Sequence, residues 1–346
     1  MDQMYATYMQ RCLQLALLGK QSVAPNPMVG AVLVHEGRII GEGYHKNFGG
    51  SHAEVNCIAS VKPEDQSLIA ASTLYVSLEP CAHHGKTPPC TDLILKHKIP
   101  QVVVGCTDTN PAVKGRGIAQ LQNAGVKVIS PIMEDACRRL NERFFTFHEK
   151  QRPWFVLKWA ASANGKIGKA GERISISNAV TNRLVHRWRS EEAAIMVATN
   201  TALYDDPQLT NRYWGSKQPL RVLLDMHLRL PSDLKMFQDK GKVIIFNGIK
   251  EDASGHLHYS KIDAQQPILP QIGEKLHALQ IQSVLVEGGA RLLNSFLDAS
   301  FWDEARVITN TSLIISEGLD APQVNQAIVE QCFQMDTDTI QIFRPV

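Results

Sequence analysis

The chain has 346 residues, enough for two domains of ordinary size, and 44% of them are hydrophobic, which suits a globular protein with substantial cores. A formal net charge of +2 gives no electrostatic case for a nucleic-acid or membrane-surface partner. No apolar run approaches the roughly 20 residues that span a bilayer. Seven cysteines, an odd number without framework spacing, read as two metal ligands and five reduced thiols (Cys12, Cys57, Cys106, Cys137 and Cys332), mostly packed in cores, and point to the cytoplasm. The N-terminal stretch carries Asp2 and lacks the charged-then-apolar order of a signal peptide, so no leader is expected.

Residues 3–19 place Tyr8, Cys12, Leu15 and Leu18 on one side at helical spacing. A loop at Ala24-Pro25-Asn26-Pro27 precedes two apolar runs, Gly30 to Val34 and Arg38 to Gly43, around Glu36-Gly37, which read as a hairpin. Strands are then expected at 73–78, 102–106 and 126–129, and helices at 52–60, 91–98, 116–124 and 133–148. That alternation predicts an α/β sandwich with an open sheet. The polar stretch from His148 to Pro153 places a boundary, dividing the chain into 1–150 and 151–346. The second half restarts with a strand at 154–160, followed by strands at 193–198, 220–225, 243–246, 284–287 and 304–309. Helices at about 177–191, 271–279 and 290–299 separate some of them, so this half is also α/β, with mainly parallel strands. The polar segment 250–266 reads as a surface loop.

His52-Ala53-Glu54, Pro80-Cys81 and Cys90 supply one imidazole, two thiols and one carboxylate. Zinc binds imidazole nitrogen and thiolate sulfur in a tetrahedron, and three protein ligands leave the fourth position for a water made acidic by the metal. Glu54, two residues after the histidine, fits a proton carrier that is not a ligand, as in the zinc deaminases of nucleobases. Cys81 follows an expected strand and Cys90 opens an expected helix, where the backbone dipole favours thiolate. The usual deaminase spacing is Cys-x-x-Cys. Here eight residues, Ala82 to Pro89, separate the cysteines, which marks a variant with an inserted loop.

The second half offers weaker cues. Val284-Leu285-Val286-Glu287-Gly288-Gly289 ends a strand in paired glycines before a helix, a place where a phosphate can approach backbone amides. Alone the cue is weak, and a tight strand-to-helix turn is the plainer reading. Arg173, Arg183, Arg187, Arg189 and Arg212 lie around one expected helix, and they fit either a phosphate clamp or a charged helix face. Asp205-Asp206-Pro207 reads as the start of a loop.

Longer motifs add to this. The first half contains Pro25-Asn26-Pro27-Met28-Val29-Gly30, Gly41-Glu42-Gly43-Tyr44-His45, His52-Ala53-Glu54-Val55 and the run from Leu78 to Cys90. Asp108-Thr109-Asn110-Pro111, with Gly115 and Gly117, follows. The second half contains Lys158-Trp159-Ala160-Ala161-Ser162, the run from Asp205 to Thr210, Arg221-Val222-Leu223-Leu224-Asp225 and Val286-Glu287-Gly288-Gly289. Together these resemble the bifunctional deaminase–reductase family of riboflavin biosynthesis, from about Tyr8 to Pro322. The resemblance implies a cytidine-deaminase-like α/β sandwich followed by a dihydrofolate-reductase-like α/β domain. It implies zinc-dependent hydrolytic deamination of a diaminopyrimidinone phosphoribosylamine, and then NADPH-dependent reduction of the ribosyl side chain to ribityl.

By the same resemblance His52, Cys81 and Cys90 are the ligands of Zn2+ and Glu54 the proton carrier, while Asn26, His83 and Lys86 line the pyrimidine or its phosphate. Arg173, Arg189, Leu209, Arg212 and Glu287 match substrate-contacting positions, and Ala160, Ser175, Thr201, Asp205 and Gly289 match positions that contact NADPH. Lys158 and Glu287 are expected to grip ribose hydroxyls and steady developing charge. The partner implied is a small pyrimidine ribose phosphate, with no nucleic acid and no membrane, and a homo-oligomer through the second domain. Three positions depart from the family pattern: Asn164 stands where aspartate is common, Ser175 where tryptophan is usual, and Asn56 where histidine is common.

Overall fold

The structure is a computed structural model that describes residues 2–83, 88–109, 114–169, 174–215, 218–253 and 255–346. It forms two compact units, Met1–Lys150 and Gln151–Val346. Among the described residues no helix is long and apolar enough to cross a membrane.

The first unit begins with α1 (Asp2–Leu17) and a hairpin of β1 (Gly30–His35) and β2 (Arg38–Tyr44). Then come α2 (Ala53–Ala59), β3 (Thr73–Leu78), α3 (Cys90–Lys96), β4 (Gln101–Cys106), α4 (Arg116–Asn123), β5 (Lys127–Ile129), α5 (Glu134–Leu140) and α6 (Glu142–Glu149). The sheet order is β2-β1-β3-β4-β5, antiparallel across β2, β1 and β3 and parallel from β3 onward. Successive strand side chains point to opposite faces, and both faces here are apolar. Ala31, Leu33, Leu74 and Val76 pack with Cys57, Ile94 and Leu121 from α2, α3 and α4. Val32, Val34 and Tyr75 pack with Met9, Cys12 and Cys137 from α1 and α5. This three-layer arrangement buries four of the five spare cysteines, while Cys332 is exposed. Helix α2 lies so close to β2 that a Cβ on Gly43 would sit 2.2 Å from Cys57 N. The single helix expected over 133–148 is two helices. Asn141 breaks it by turning its side chain onto Met28, accepting from the backbone N–H at 2.8 Å and donating to the carbonyl at 2.9 Å.

The second unit contains β6 (Trp154–Ser162), β7 (Lys166–Gly168), α7 (Ala179–Glu191), β8 (Ala194–Ala198), α8 (Thr199–Asp205), β9 (Leu220–Leu224), α9 (Lys235–Gln238) and β10 (Val243–Asn247). It continues with β11 (Leu257–Lys261), α10 (Ile268–Ala278), β12 (Ser283–Val286), α11 (Ala290–Asp298), β13 (Glu304–Asn310), β14 (Leu319–Asp320), β15 (Ala327–Met335) and β16 (Asp338–Pro345). Nine strands form one sheet in the order β11-β10-β9-β8-β12-β6-β13-β16-β15. The first seven in that order are mutually parallel; β16 runs antiparallel to β13, and β15, antiparallel to β16, returns to the direction of the first seven. Leu292, Leu293 and Phe296 of α11 and Ile272 and Leu276 of α10 close one face over Phe155, Leu157 and Val286. Val185 and Trp188 of α7 pack with Trp154, Val156 and Leu285.

Two expectations are corrected here. The segment 250–266 is not all loop, because it contains β11, whose Leu257 and Tyr259 pack on the core while His258 and Ser260 alternate with them. Asp205 does not begin a loop but closes α8, and the chain turns at Asp206 with φ +37°.

Candidate active sites

In the first unit the metal-ligating side chains come from two helix starts and one strand end. His52 is the residue before α2, with extended backbone, and Cys90 is the first residue of α3. Cys81 lies just past β3. His52 Nδ1 is 3.5 Å from Cys81 Sγ and 3.3 Å from Cys90 Sγ, and the three ligand atoms lie within 4.8 Å of one another. Ligands bonded to zinc at about 2.0–2.3 Å in a tetrahedron stand roughly 3.5 Å apart, so the donor set and its spacing both fit the ion. The Cys81 thiol is pulled down to about 4, first by the hydrogen bond with Cys90 and, against burial, by His52. The same contact raises Cys90, and a divalent cation would take both sulfurs as thiolates.

Glu54 lies in the first turn of α2 and is buried. It is not part of the three-ligand group, and burial, followed by the Cys81 charge, raises its pKa. Asn26 reaches the same region, with Nδ2 3.1 Å from His45 Nε2. His45 Nδ1 faces the Ser51 carbonyl at 3.0 Å, and its ring stands edge-on to His52 with centroids 5.6 Å apart. Donation from Asn26 and to Ser51 requires the neutral Nδ1–H tautomer, which burial also favours. No role was assigned to His45 in the sequence, although it closes one of the quoted motifs. His83 is exposed between the two cysteines, and Lys86 lies outside the described residues. Asn56 donates to the carbonyls of Tyr44 and Ser51 at 2.8 and 3.2 Å, so it fastens the loop ahead of His52.

Glu79 is a second residue without a role in the sequence reading. Its buried carboxylate accepts four backbone N–H groups: Asp108 at 3.2 Å, Gly115 at 3.0 Å, Gly117 at 2.9 Å and Ile118 at 3.2 Å. It gathers the start of α4 against the Pro80-Cys81 turn. The approach is close enough that a Cβ on Gly117 would lie 1.9 Å from Pro80 O, which is why glycine stands there.

In the second unit a cleft of about 1610 Å³ opens at the C-terminal edge of the parallel strands, the usual ligand side of such sheets. Lys158, Arg189, Leu209, Arg212 and Glu287 all line it. So do Ala160, Ser175, Thr201, Asp205 and Gly289, whereas Arg173 lies outside the described residues. Arg189 grips Glu287 with two parallel hydrogen bonds, Nε to Oε1 at 2.8 Å and Nη2 to Oε2 at 2.6 Å, and Lys158 Nζ stands 3.9 Å from Oε2. Burial pushes the Glu287 carboxyl up, but Arg189 and Lys158 together overcome it and hold it at about 2. Burial lowers the pKa of Lys158. Two cations around one anion leave this end of the cleft positive, which suits an anionic or electron-rich substrate.

The loop carrying Leu209 and Arg212 is fixed from behind. Arg189 Nη1 donates to Thr210 O at 3.1 Å, and Arg212 N donates to His186 Nδ1 at 3.0 Å. Burial and the nearby Arg189 and Arg212 charges lower His186 to about 4, so it is a neutral acceptor. Leu209 is buried at φ +53°, a left-handed conformation costly for a leucine and a mark of functional constraint. At the other end Gly289, φ +65°, precedes α11, and a Cβ there would lie 3.1 Å from Thr201 Oγ1. Asn164 ties two loops by accepting from Ser162 Oγ at 2.7 Å and Ile315 N at 3.2 Å and donating to Ile315 O at 2.8 Å. The departure there has a structural use of its own.

Both units match known protein families. Residues 2–106 match the family profile described as the cytidine and deoxycytidylate deaminase zinc-binding region, and residues 153–314 match the RibD C-terminal domain. The chain is 38% identical over 335 residues to the riboflavin biosynthesis protein RibD of Aquifex aeolicus, covering 95% of the chain and 92% of that protein. It is 33% identical over 340 residues to RibD of Escherichia coli, covering 90% and 88%. Among solved structures it superimposes on a diaminohydroxyphosphoribosylaminopyrimidine deaminase/5-amino-6-(5-phosphoribosylamino)uracil reductase from Thermotoga maritima with a TM-score of 0.89 at 37% identity, covering 100% of this chain and 99% of that one. On RibD of Acinetobacter baumannii the TM-score is 0.90 at 31% identity, covering 100% of both chains. The first unit has the cytidine-deaminase-like fold and the second the dihydrofolate-reductase-like fold, as the sequence motifs implied.

Proposed function

The chain belongs to the RibD family of bifunctional deaminase/reductases of riboflavin biosynthesis, and from that premise we propose how its own residues divide the two reactions. The enzyme removes the 2-amino group of 2,5-diamino-6-(5-phosphoribosylamino)pyrimidin-4-one by zinc-dependent hydrolysis, and then reduces the ribosyl side chain to ribityl with NADPH. The observation that carries the first step is a His/Cys/Cys set with a buried carboxylate, Glu54, two residues after the histidine and outside the three-ligand group.

His52, Cys81 and Cys90 would hold the zinc, which when bound would make water a nucleophile at neutral pH. Glu54 is placed to take the two protons of the attacking water in turn and to pass each to the substrate. Oxygen from the water becomes the 2-oxo group, one proton stays on the ring, and the other leaves with the amino nitrogen as ammonia. Burial of Glu54 suits a carboxyl that must carry a proton as well as accept one. Asn26, held by His45, and His83 frame the pyrimidine side, with Lys86 assigned there from its motif.

In the second unit the substrate lies against Lys158, Arg189, Leu209, Arg212 and Glu287, with Arg173 assigned from its motif. Ala160, Ser175, Thr201, Asp205 and Gly289 would hold NADPH, which when bound would supply the hydride. Glu287 stays ionised and accepts ribose hydroxyls, while Lys158 steadies the charge that develops as the ring opens. Positioning is the main task of this site.

A second copy of the chain fits the second unit at β15, a nine-residue strand at the sheet edge with Ile328, Val329 and Phe333 exposed. A cytoplasmic location fits the spare reduced thiols. The test of the assignment is Glu54→Gln. Ammonia release is expected to fall by about two to four orders of magnitude, while reduction of supplied deaminated intermediate continues at the parent rate. Undiminished ammonia release would remove Glu54 from the mechanism.

A further inference from the structure

Helix α7 turns three polar side chains to the reductase cleft at helical spacing, Asn182, His186 and Arg189. Asn182 is exposed, and Arg189 is engaged with Glu287 and with Thr210 O. His186 differs from both. It lines the cleft although only 1% of it is exposed. Its Nδ1 accepts from Arg212 N at 3.0 Å, so the proton of the neutral ring sits on Nε2. Among the described residues that Nε2–H has no hydrogen-bond partner. The Tyr213 ring stands edge-on to it, with centroids 4.6 Å apart, so the imidazole is packed as well as bonded. Buried donors are nearly always paired, and one that faces a cleft is paired by what enters the cleft.

The charges around His186 show what class of group that is. Lys158, Arg189 and Arg212 stand near it against a single carboxylate, Glu287. The Arg212 guanidinium is exposed, donates through Nη1 to Gln208 Oε1 at 3.2 Å, and among the described residues pairs with no acid. Arg189 lies between the two ends of this group: Nε and Nη2 face Glu287, and Nη1 faces Thr210, close in the chain to Arg212. A phosphate monoester carries about −1.5 to −2 charge at neutral pH. Glu287 repels it, so the phosphate belongs at the Arg212 end and the ribose hydroxyls at the carboxylate. His186 offers that anion a donor of fixed direction. The Arg212 N–H already occupies Nδ1, so the ring donates at Nε2 without taking a second proton.

We propose that His186 binds the substrate of the reductase, donating from Nε2 to a phosphate oxygen of the phosphoribosyl chain while Arg212 supplies the opposing charge. The residue that fixes the 209–213 loop from behind thus also touches the ligand. This rests on the reading of the second unit as the reductase of the deaminated intermediate.

The experiment follows NADPH oxidation by the full-length enzyme with the deaminated phosphoribosylaminouracil and with the same compound freed of its phosphate. His186→Leu removes both the donor and the acceptor, whereas His186→Gln keeps both. In His186→Leu, KM for the phosphorylated compound is expected to rise about tenfold or more, the effect of one charge-assisted hydrogen bond, with kcat changed much less. KM for the phosphate-free compound should rise by a far smaller factor, and His186→Gln should restore most of the parent KM. Arg212→Ala, at an exposed position, should show the same selectivity for the phosphate. An equal rise for both compounds in His186→Leu would leave His186 as a support of the loop alone and overturn the proposal. A measurement on the parent does not depend on any variant folding. In spectra of 15N-histidine-labelled enzyme without NADPH, His186 should carry its proton on Nε2, and that proton should shift downfield on saturation with the phosphorylated compound. A His186 proton that stays in place at saturation would also overturn the proposal. A parent that oxidises NADPH with neither compound would overturn the reductase reading instead.

Discussion

Glu287 and His186 are both held away from their ordinary protonation behaviour, and in the same direction. Glu287 is lowered to about 2 from 4.5, with Arg189 and Lys158 overcoming burial, and His186 is lowered to about 4 from 6.5, chiefly by burial. Each binds its proton more tightly in the unfolded chain, so stability rises with pH across each window. The His186 contribution is complete above about pH 6.5 and is lost as pH falls to about 4. The Glu287 contribution is complete above about pH 4.5 and is lost towards pH 2. All five tryptophans lie in the second unit, so their fluorescence reports on it alone. The urea midpoint read this way is expected to fall between pH 7 and pH 4. The fall should be shallower in His186→Gln, which can still accept from Arg212 N but does not titrate. A parent-like slope in that variant would show that His186 ionises elsewhere in the folded chain. The same two residues have a functional consequence. An ionised Glu287 and a neutral His186 keep Arg189 and the 209–213 loop in place throughout the neutral range.

At the scale of elements, the strand-to-helix turns carry the chemistry, and single buried groups set their shape. Glu79 gathers four backbone N–H groups beside Cys81, and removing its carboxylate leaves all four unpaired. Glu79→Ala is expected to destabilise the first unit by about 3 kcal/mol or more. Far-UV dichroism should then show an early transition while tryptophan fluorescence keeps the parent one. Coincident, unshifted transitions would mean the carboxylate contributes little.

Much of this layer was legible in the sequence. The strands of both units fall close to their expected positions because their apolar runs are buried on two faces. The ligand set was legible because zinc chemistry demands few residue types at restricted spacings. What escaped has physical reasons. Asn141 looks like any helix residue until Met28, far away in the chain, offers its backbone. The hairpin of β15 and β16 has an outer strand that is mostly exposed, so its pattern lacks the alternation of a buried strand. His45 and Glu79 were silent because their partners are backbone groups or distant side chains that no local spacing reveals.

The whole molecule joins two folds whose sites do different chemistry on one compound, hydrolysis in the first unit and hydride transfer in the second. The exposed edge at β15 is where a second copy is expected to pair. Phe333→Lys, in the middle of that strand, should convert the assembly to monomer in light-scattering measurements at micromolar concentration, and an unchanged mass would place the contact elsewhere. The division of labour itself is tested by following product masses from the diaminopyrimidine phosphoribosylamine, with and without NADPH, before and after treatment with a zinc chelator. Without NADPH the enzyme is expected to exchange one amino group for oxygen and stop. With NADPH the same product gains two hydrogens, and the chelator blocks both changes from the starting compound while sparing reduction of added deaminated intermediate. Reduction of the starting compound before any loss of nitrogen, or deamination that persists in the chelator, would contradict the account.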